Sequence, residues 1–338
     1  MRAARLHGIR DLRVEDVPDP VPAPGEALLA VRAVGVCGSD LHHYLEGSIG
    51  ALVSPDPFIL GHEFAAEVLE GGPLPPGTLV AVDPNRSCGA CEWCRDGHTN
   101  LCPEVRFVGV PPYPGALAEY ATARPEELIP LPPGMDAATG ALLEPLGVAI
   151  HALDLARLRP MASVAVLGLG PIGLLLLQVA RACGAGRIVA VDPLAYRCEV
   201  ASELGADAVA TAVAGVTEAT DGRGVDVVLE ATNSPLGPQH AAEAVRVGGS
   251  VVLVGIPTGN AFALEAALVR RKGITIKMSR RMRHVYPRAI DMVQAGRVTF
   301  APLVTHRFDL DGTPAAFELQ ADYRDGVVKS VVFPGGRG

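Results

Sequence analysis

Ser163 to Asp192, SVAVLGLGPIGLLLLQVARACGAGRIVAVD, is the stretch that decides the fold. It opens on a short apolar strand, Val164 to Leu167, and passes through Gly168-Leu169-Gly170-Pro171-Ile172-Gly173. An apolar helical segment follows, Leu174 to Ala182, and then a second strand, Arg187 to Val191, closed by Asp192. A lone G-x-G-x-x-G means little. This one follows a strand, opens a helix and is answered 19 residues past Gly173 by an acidic residue, the pattern of a dinucleotide-binding Rossmann unit. Gly168 permits the tight turn, Gly170 lets a pyrophosphate approach the backbone, and Gly173 allows close packing of the helix. The phosphates would meet the helix N-terminus at Pro171 and Ile172. Asp192 accepts hydrogen bonds from ribose hydroxyls and repels a 2′-phosphate, so the expected cofactor is NAD. Residues 160–180 carry no charge and are long enough to raise a membrane-span reading, but the glycines make strand, turn and helix the better one.

Downstream, Asp207–Ala210, Val225–Leu229 and Ser250–Val254 continue the series of parallel strands with helices between them. Thr232 and Val254-Gly255-Ile256 fall past the carboxyl ends of two of these strands, where ligands sit in such sheets. Upstream, Ala137 to Leu155 reads as a helix interrupted by Glu144-Pro145. Residues 1 to about 120 alternate short apolar runs, Ala27–Val36, Leu79–Val82 and Leu117–Thr122 among them, with Pro and Gly punctuation, as a mainly β domain does. At 338 residues against a usual ~100–200 per domain, two domains are expected. The net charge of −8 without a basic block excludes nucleic acid and anionic membrane surfaces as expected partners. Only Lys272, Lys277 and Lys329 are lysines among the 29 basic residues.

Seven cysteines, four of them closely packed, suit a reducing compartment and metal binding better than a disulfide framework. The N-terminus shows no apolar signal segment, so cytoplasm is the expected location. Cys88-Gly-Ala-Cys91-Glu-Trp-Cys94, followed by Cys102, supplies four thiolates on one loop. That set suits a closed tetrahedral zinc site, and an iron–sulfur cluster shares it. A second group is different. Cys37-Gly38-Ser39-Asp40 and Gly61-His62-Glu63 bring a thiolate, an imidazole and a carboxylate, three zinc ligands that leave the fourth position open for water or substrate. Asp40 is placed to bond the far nitrogen of His62 and fix its tautomer. Ser39 and His42 are placed to pass a proton outward.

Cys37-Gly38-Ser39-Asp40-Leu41-His42 and Gly61-His62-Glu63 resemble the zinc-containing medium-chain alcohol dehydrogenases, and within them the sorbitol (polyol) branch, over nearly the whole chain. The resemblance implies a GroES-like, mainly β catalytic domain over 1–150 and 285–338, with a structural zinc lobe at about 85–105. It implies a doubly wound parallel-sheet NAD-binding domain over 151–284, and it favours zinc at both metal groups. Leu143-Glu144-Pro145-Leu146-Gly147-Val148-Ala149-Ile150-His151 resembles the polyol and threonine dehydrogenases, where the glutamate lies at the catalytic zinc. Whether Glu63 or Glu144 ligates stays open. By the same resemblance Arg197 accompanies NAD, Val254 to Ile256 approach the nicotinamide, and Arg281 touches cofactor and substrate. Phe107 falls in the substrate pocket. Met282 and His43 stand where the branch carries tyrosines at the substrate, a departure from the sorbitol pattern.

The implied reaction is zinc-dependent oxidation of a secondary alcohol, a polyol such as sorbitol or L-iditol, to a ketose with NAD as hydride acceptor. L-Threonine 3-dehydrogenase and simple secondary-alcohol or butanediol dehydrogenase are the alternatives within the family, and a non-catalytic NAD-binding protein is the one outside it. The implied assembly is a homo-oligomer, dimer or tetramer, joined through the edge of the nucleotide domain near Ser250–Val254 or Phe262–Leu264. Cys183 and Cys198 are expected as buried thiols, and His306 as a structural residue.

Overall fold

The strand Ala27–Gly35 is the axis of the first of two compact units, Met1–Glu144 with Val304–Gly338. Its residues are almost all Ala, Leu and Val, and most of its length is buried, so it forms a central strand covered on both faces. The computed structural model describes residues 1–50, 52–53 and 57–336. Ala27–Gly35 pairs antiparallel with Glu63–Gly71 on one side and with Lys329–Phe333 on the other. Leu79–Val82 and Leu128–Pro130 extend the sheet outward from Glu63–Gly71, and Val304–Asp309 extends it from Lys329–Phe333. Tyr120–Ala123 also pairs with Ala27–Gly35. A smaller sheet joins Asp11–Asp16, Arg2–Gly8 and Phe58–Ile59. Leu29, Val31, Val34, Phe64, Val68, Val80 and Leu117 fill the core between these layers.

One pairing positions the chemistry. Gly35 ends its strand opposite Glu63, which begins the next. The turn after Gly35 therefore delivers Cys37 beside His62 and Glu63, although 26 positions part Cys37 from Glu63.

The second unit, Pro145–Leu303, holds a six-stranded sheet that is parallel throughout. Its order is Ala208–Ala210, Arg187–Val191, Ser163–Leu167, Val225–Glu230, Val245–Leu253, Thr275–Met278. In chain order this is 3-2-1-4-5-6, the doubly wound arrangement whose direction reverses beside the first strand. Burial on both faces explains the unbroken apolar runs of the inner strands.

Several expectations change. Ala137–Ala156 is one continuous helix with Pro145 inside it. Burial of Leu142, Leu143, Leu146, Ala149 and Ile150 on this segment outweighs the ~3 kcal/mol that an interior proline costs. Among the described residues it is the one helix long and apolar enough to cross a membrane, and it is a core helix, 78% of that window being buried. Residues 160–180 instead form strand, turn and the helix Pro171–Ala182. Residues 145–150 and 285–303, expected with the first unit, lie in the second. Thr299 and Gln178 exchange hydrogen bonds of 2.8 and 3.1 Å, and Arg288 pairs with Asp154 at 2.5 Å. Ser250–Val254 is no sheet edge, since Val245–Leu253 lies between two neighbours, and residues 262–264 form no strand. Among the described residues the free edge on that side is Thr275–Met278. Cys198 is buried as expected, but Cys183 is exposed, because the helix ends at Ala182 and leaves it at the C-cap.

Candidate functional site

Cys37 leaves the end of its strand and immediately N-caps the helix Gly38–Glu46. Asp40, on the first turn of that helix, accepts the Cys37 N–H at 3.1 Å and the Gly61 N–H at 3.3 Å. Its Oδ1 also lies 3.4 Å from His62 Nδ1. One buried carboxylate thus ties the two halves of the site together, bonding the backbone at Cys37 and Gly61 and facing the far nitrogen of the imidazole. The other ring nitrogen, Nε2, faces Ser39 Oγ at 3.4 Å, and that hydroxyl donates to Cys37 Sγ at 3.3 Å. Burial opposes charge on both Asp40 and His62. Their mutual attraction still lowers the Asp40 carboxyl, and Asp40 with the Cys37 thiol raises His62 well above its usual range.

Ligand atoms of Cys37, His62 and Glu63 all lie within 4.8 Å of one another. A soft thiolate, an imidazole and one carboxylate, half-closed by protein, are a donor set that zinc accepts with a position to spare. Glu144 is buried nearby but falls outside this group. Burial pushes its carboxyl up to about 7, against the pull of His62. The Phe107 ring lies 5.3 Å from the His62 ring. His42, on the outer side of the same helix, bonds Glu46 Oε1 through Nδ1 at 2.8 Å.

The four-cysteine group closes differently. Cys88, Cys91, Cys94 and Cys102 bring their sulfurs within 4.8 Å of one another, with Cys88 and Cys94, and likewise Cys91 and Cys102, 3.9 Å apart. The N–H groups of Ala90 and Cys91 pull the Cys88 thiol down to about 6, which favours the thiolate there. Against the pull of the Cys94 N–H, burial and the neighbouring sulfurs push Cys91 up to about 12, and burial and those sulfurs raise Cys102. Four sulfurs leave no open position.

In the second unit, Gly168 turns with φ +85° directly after its strand. A Cβ on Gly173 would lie 1.8 Å from the Gly168 carbonyl oxygen, whereas one on Gly170 would meet only Arg197 Nη1 at 3.9 Å. Space is therefore open in front of Gly170 and at the N-terminus of Pro171–Ala182, where an anion is favoured. Asp192 stands at the end of the second strand, held by the Leu169 and Leu194 N–H groups at 2.7 and 2.9 Å. Arg197 Nη1 is 3.6 Å from its Oδ2. Thr232 donates to Glu230 Oε1 from both its N–H and its hydroxyl, at 2.8 and 2.5 Å.

Two sequence families match the two units: "Alcohol dehydrogenase GroES-like domain" over residues 23–133 and "Zinc-binding dehydrogenase" over 171–295. Sorbitol dehydrogenase of Bacillus subtilis is 36% identical over 99% of this chain and 97% of its own length. The chain belongs to the zinc-containing medium-chain alcohol dehydrogenases. Among solved structures, an oxidoreductase of unknown specificity from Escherichia coli matches with a TM-score of 0.91 and 32% identity, over 98% of both chains. The 2R,3R-butanediol dehydrogenase of Bacillus subtilis matches at 0.88 and 32%, over 99% of both.

This medium-chain dehydrogenase therefore joins a GroES-like unit to a Rossmann unit, with zinc and a nicotinamide dinucleotide as its cofactors. Of the residues expected at the substrate, His43 is buried, and burial lowers its imidazole. Met282 is buried too: a Cβ on Gly147 would lie 2.1 Å from its sulfur, so its side chain packs on the Ala137–Ala156 helix. Arg281 has a left-handed backbone, φ 54°. Val254 and Gly255 are half-buried past the end of their strand, while Ile256 is exposed. His306 is half-buried beside the exposed Asp325 at 3.2 Å. Lys329, which belongs to no motif, has its Nζ 2.5 Å from Glu63 Oε2. The signal available was scarcity, since a chain that uses arginine almost everywhere keeps three lysines.

Proposed function

We propose that this dehydrogenase oxidises a secondary hydroxyl of a polyol to a ketone, giving a ketose, with NAD as the hydride acceptor. The observation that carries the reading is the Cys37, His62 and Glu63 group with its Asp40 and Ser39 supports. Full-length relatives named sorbitol dehydrogenase supply the substrate class. Cys37, His62 and Glu63 would hold the catalytic zinc, and Glu144, whose charge interacts with His62 and Glu63, would act as a direct or water-bridged ligand. Cys88, Cys91, Cys94 and Cys102 would hold a structural zinc. A zinc ion at the first group supplies Lewis acidity that makes an alcohol hydroxyl easier to deprotonate. Ser39 or water would take the hydroxyl proton and pass it toward His42, which Glu46 orients. Phe107 and His43 are the proposed substrate contacts in the first unit, and Arg281 and Met282 those in the second.

The dinucleotide is carried by Gly168, Gly170, Pro171, Ile172 and Gly173 at the pyrophosphate and Asp192 at the ribose. Arg197, Thr232, Val254, Gly255, Ile256 and Arg281 contribute the remaining contacts. The fixed negative charge of Asp192 favours NAD over NADP. Seven free cysteines, four in one metal-type cluster, support a reducing, cytoplasmic setting. The outer edge of Thr275–Met278, free among the described residues, supports a homo-oligomer formed by sheet extension.

Dinucleotide reduction followed at 340 nm over a panel of polyols, butanediol, simple secondary alcohols and L-threonine tests this, with metal content measured on the same sample. The expected result is fastest turnover on a polyol with two zinc ions per chain. Silence across the panel in a zinc-loaded, NAD-binding sample refutes the enzymatic reading, and a maximum on threonine or butanediol refutes the substrate class. Cys37→Ser should abolish turnover and leave NAD binding intact.

A further inference from the structure

Behind the three ligand candidates lies a cation that ordinary ligand chemistry does not call for. Lys329 projects from Lys329–Phe333, the strand next to Ala27–Gly35. Its Nζ lies 2.5 Å from Glu63 Oε2 and donates to the Val36 carbonyl oxygen at 2.8 Å, and both charged side chains are 2% exposed. Val36 precedes Cys37, and its carbonyl also accepts from Gln320 Nε2 at 2.8 Å. Gln320 in turn receives the Ser330 N–H at 2.8 Å. Gly35 makes room for the pair: a Cβ there would fall 2.2 Å from Glu63 Oε2 and 3.0 Å from Lys329 Cε.

A buried carboxylate without a partner is strongly destabilising. In this site Asp40 has His62, and Glu63 has Lys329. An ammonium suits the place because it is a compact point charge able to serve a carboxylate and a carbonyl at once.

We propose that Lys329 is a positioning residue that stands in for the catalytic zinc as the counter-charge of Glu63. It holds one carboxylate oxygen, keeps the carboxylate in place before metal arrives, and thereby makes the metal-free site preformed. The proposal rests on the metal-site reading above. Its signature is that Lys329 matters more without zinc than with it, since bound zinc supplies positive charge of its own. A residue that merely fills space would matter equally in both states.

The test is thermal unfolding of the chelator-stripped and the zinc-reloaded full-length chain, for the parent, Lys329→Met, Lys329→Arg and the double variant Glu63→Gln with Lys329→Met. Stripping empties the four-cysteine lobe in every sample, so its contribution cancels in the comparison with the parent. Metal-free Lys329→Met is expected to melt about 10 °C below the metal-free parent, and the zinc-loaded pair to differ by less than half as much. Lys329→Arg should recover part of the metal-free loss, and the double variant, which removes both charges, should melt above Lys329→Met without metal. Equal losses with and without zinc would overturn the proposal, as would a double variant no more stable than Lys329→Met. The double variant keeps the test decisive if Lys329→Met alone does not fold. A parent that neither takes up zinc at Cys37 nor changes its melting with zinc defeats the metal-site reading itself.

Discussion

Gly170→Ala separates the needs of the fold from those of the cofactor. Gly170 sits at φ −67° and ψ −173°, a backbone that alanine adopts without strain, and its new methyl would meet only Arg197 Nη1 at 3.9 Å. Narrowing the unfolded ensemble at such a position stabilises a protein by ~0.4–1 kcal/mol, so the variant should melt at or slightly above the parent. The same methyl stands where a pyrophosphate must approach the backbone. Losing one hydrogen bond to a charged group costs ~1.5–3 kcal/mol, so NADH should bind about 10- to 150-fold more weakly. Gly173→Ala gives the contrast, because its Cβ would lie 1.8 Å from the Gly168 carbonyl oxygen and the helix itself would have to shift. That variant should lose both melting temperature and binding. NADH fluorescence titration and differential scanning fluorimetry on the three proteins decide the matter. A Gly170→Ala protein that binds NADH like the parent would show that no pyrophosphate approaches this turn.

Three further outcomes are expected. Cys91→Ser should lose one zinc per chain by metal analysis and melt lower, with NADH affinity unchanged, because a structural metal contributes folding energy. Asp226 accepts from Arg246, Arg223, the Ser163 N–H and the Ser163 hydroxyl at 2.6–2.9 Å. Burial works against its charge, yet these partners hold its pKa well below the ordinary carboxylate value. Its stabilisation is therefore complete above the unfolded-state pKa of ~4 and is lost as pH falls through the lower folded-state value. Asp226→Asn should cost ~1–3 kcal/mol at pH 7, and urea unfolding should show the gap to the parent narrowing as pH drops below ~4. Lys272 Nζ donates to the carbonyls of Ala242, Glu243 and Val245 at 2.9, 2.7 and 2.7 Å. Lys272→Met should destabilise by ~1.5–3 kcal/mol; an unchanged denaturant midpoint counts against a stabilising role for these three bonds.

What the sequence made legible follows from how local each signal is. The dinucleotide turn reads from one window because strand, glycines, helix and acid all lie within 30 residues. Cys37, His62 and Glu63 read from ligand chemistry, and the sheet register at Gly35 and Glu63 brings their atoms together. The Glu63–Lys329 pair did not read, because it joins distant parts of the chain and an isolated lysine carries no pattern. Pro145 misled because local propensity is a weak prior on a helix this deeply buried. The sheet edge misled for the opposite reason, since the apolar run Ser250–Leu253 marks an inner strand and the true edge, Thr275–Met278, is short and partly polar. Cys183 misled by a single position, the difference between the last turn of a helix and its cap.

The three lysines have a practical corollary. Lys272 holds three carbonyls, Lys277 donates to Leu155 O at 2.6 Å, and Lys329 is sealed against Glu63. The α-amine of Met1 is engaged with Val17 and Asp19. Every primary amine of the folded chain thus has a hydrogen-bonding duty. Acylating reagents, amine-reactive dyes and coupling to activated surfaces should modify the native protein sluggishly, and the rate at which they do so gives a direct gauge of unfolding.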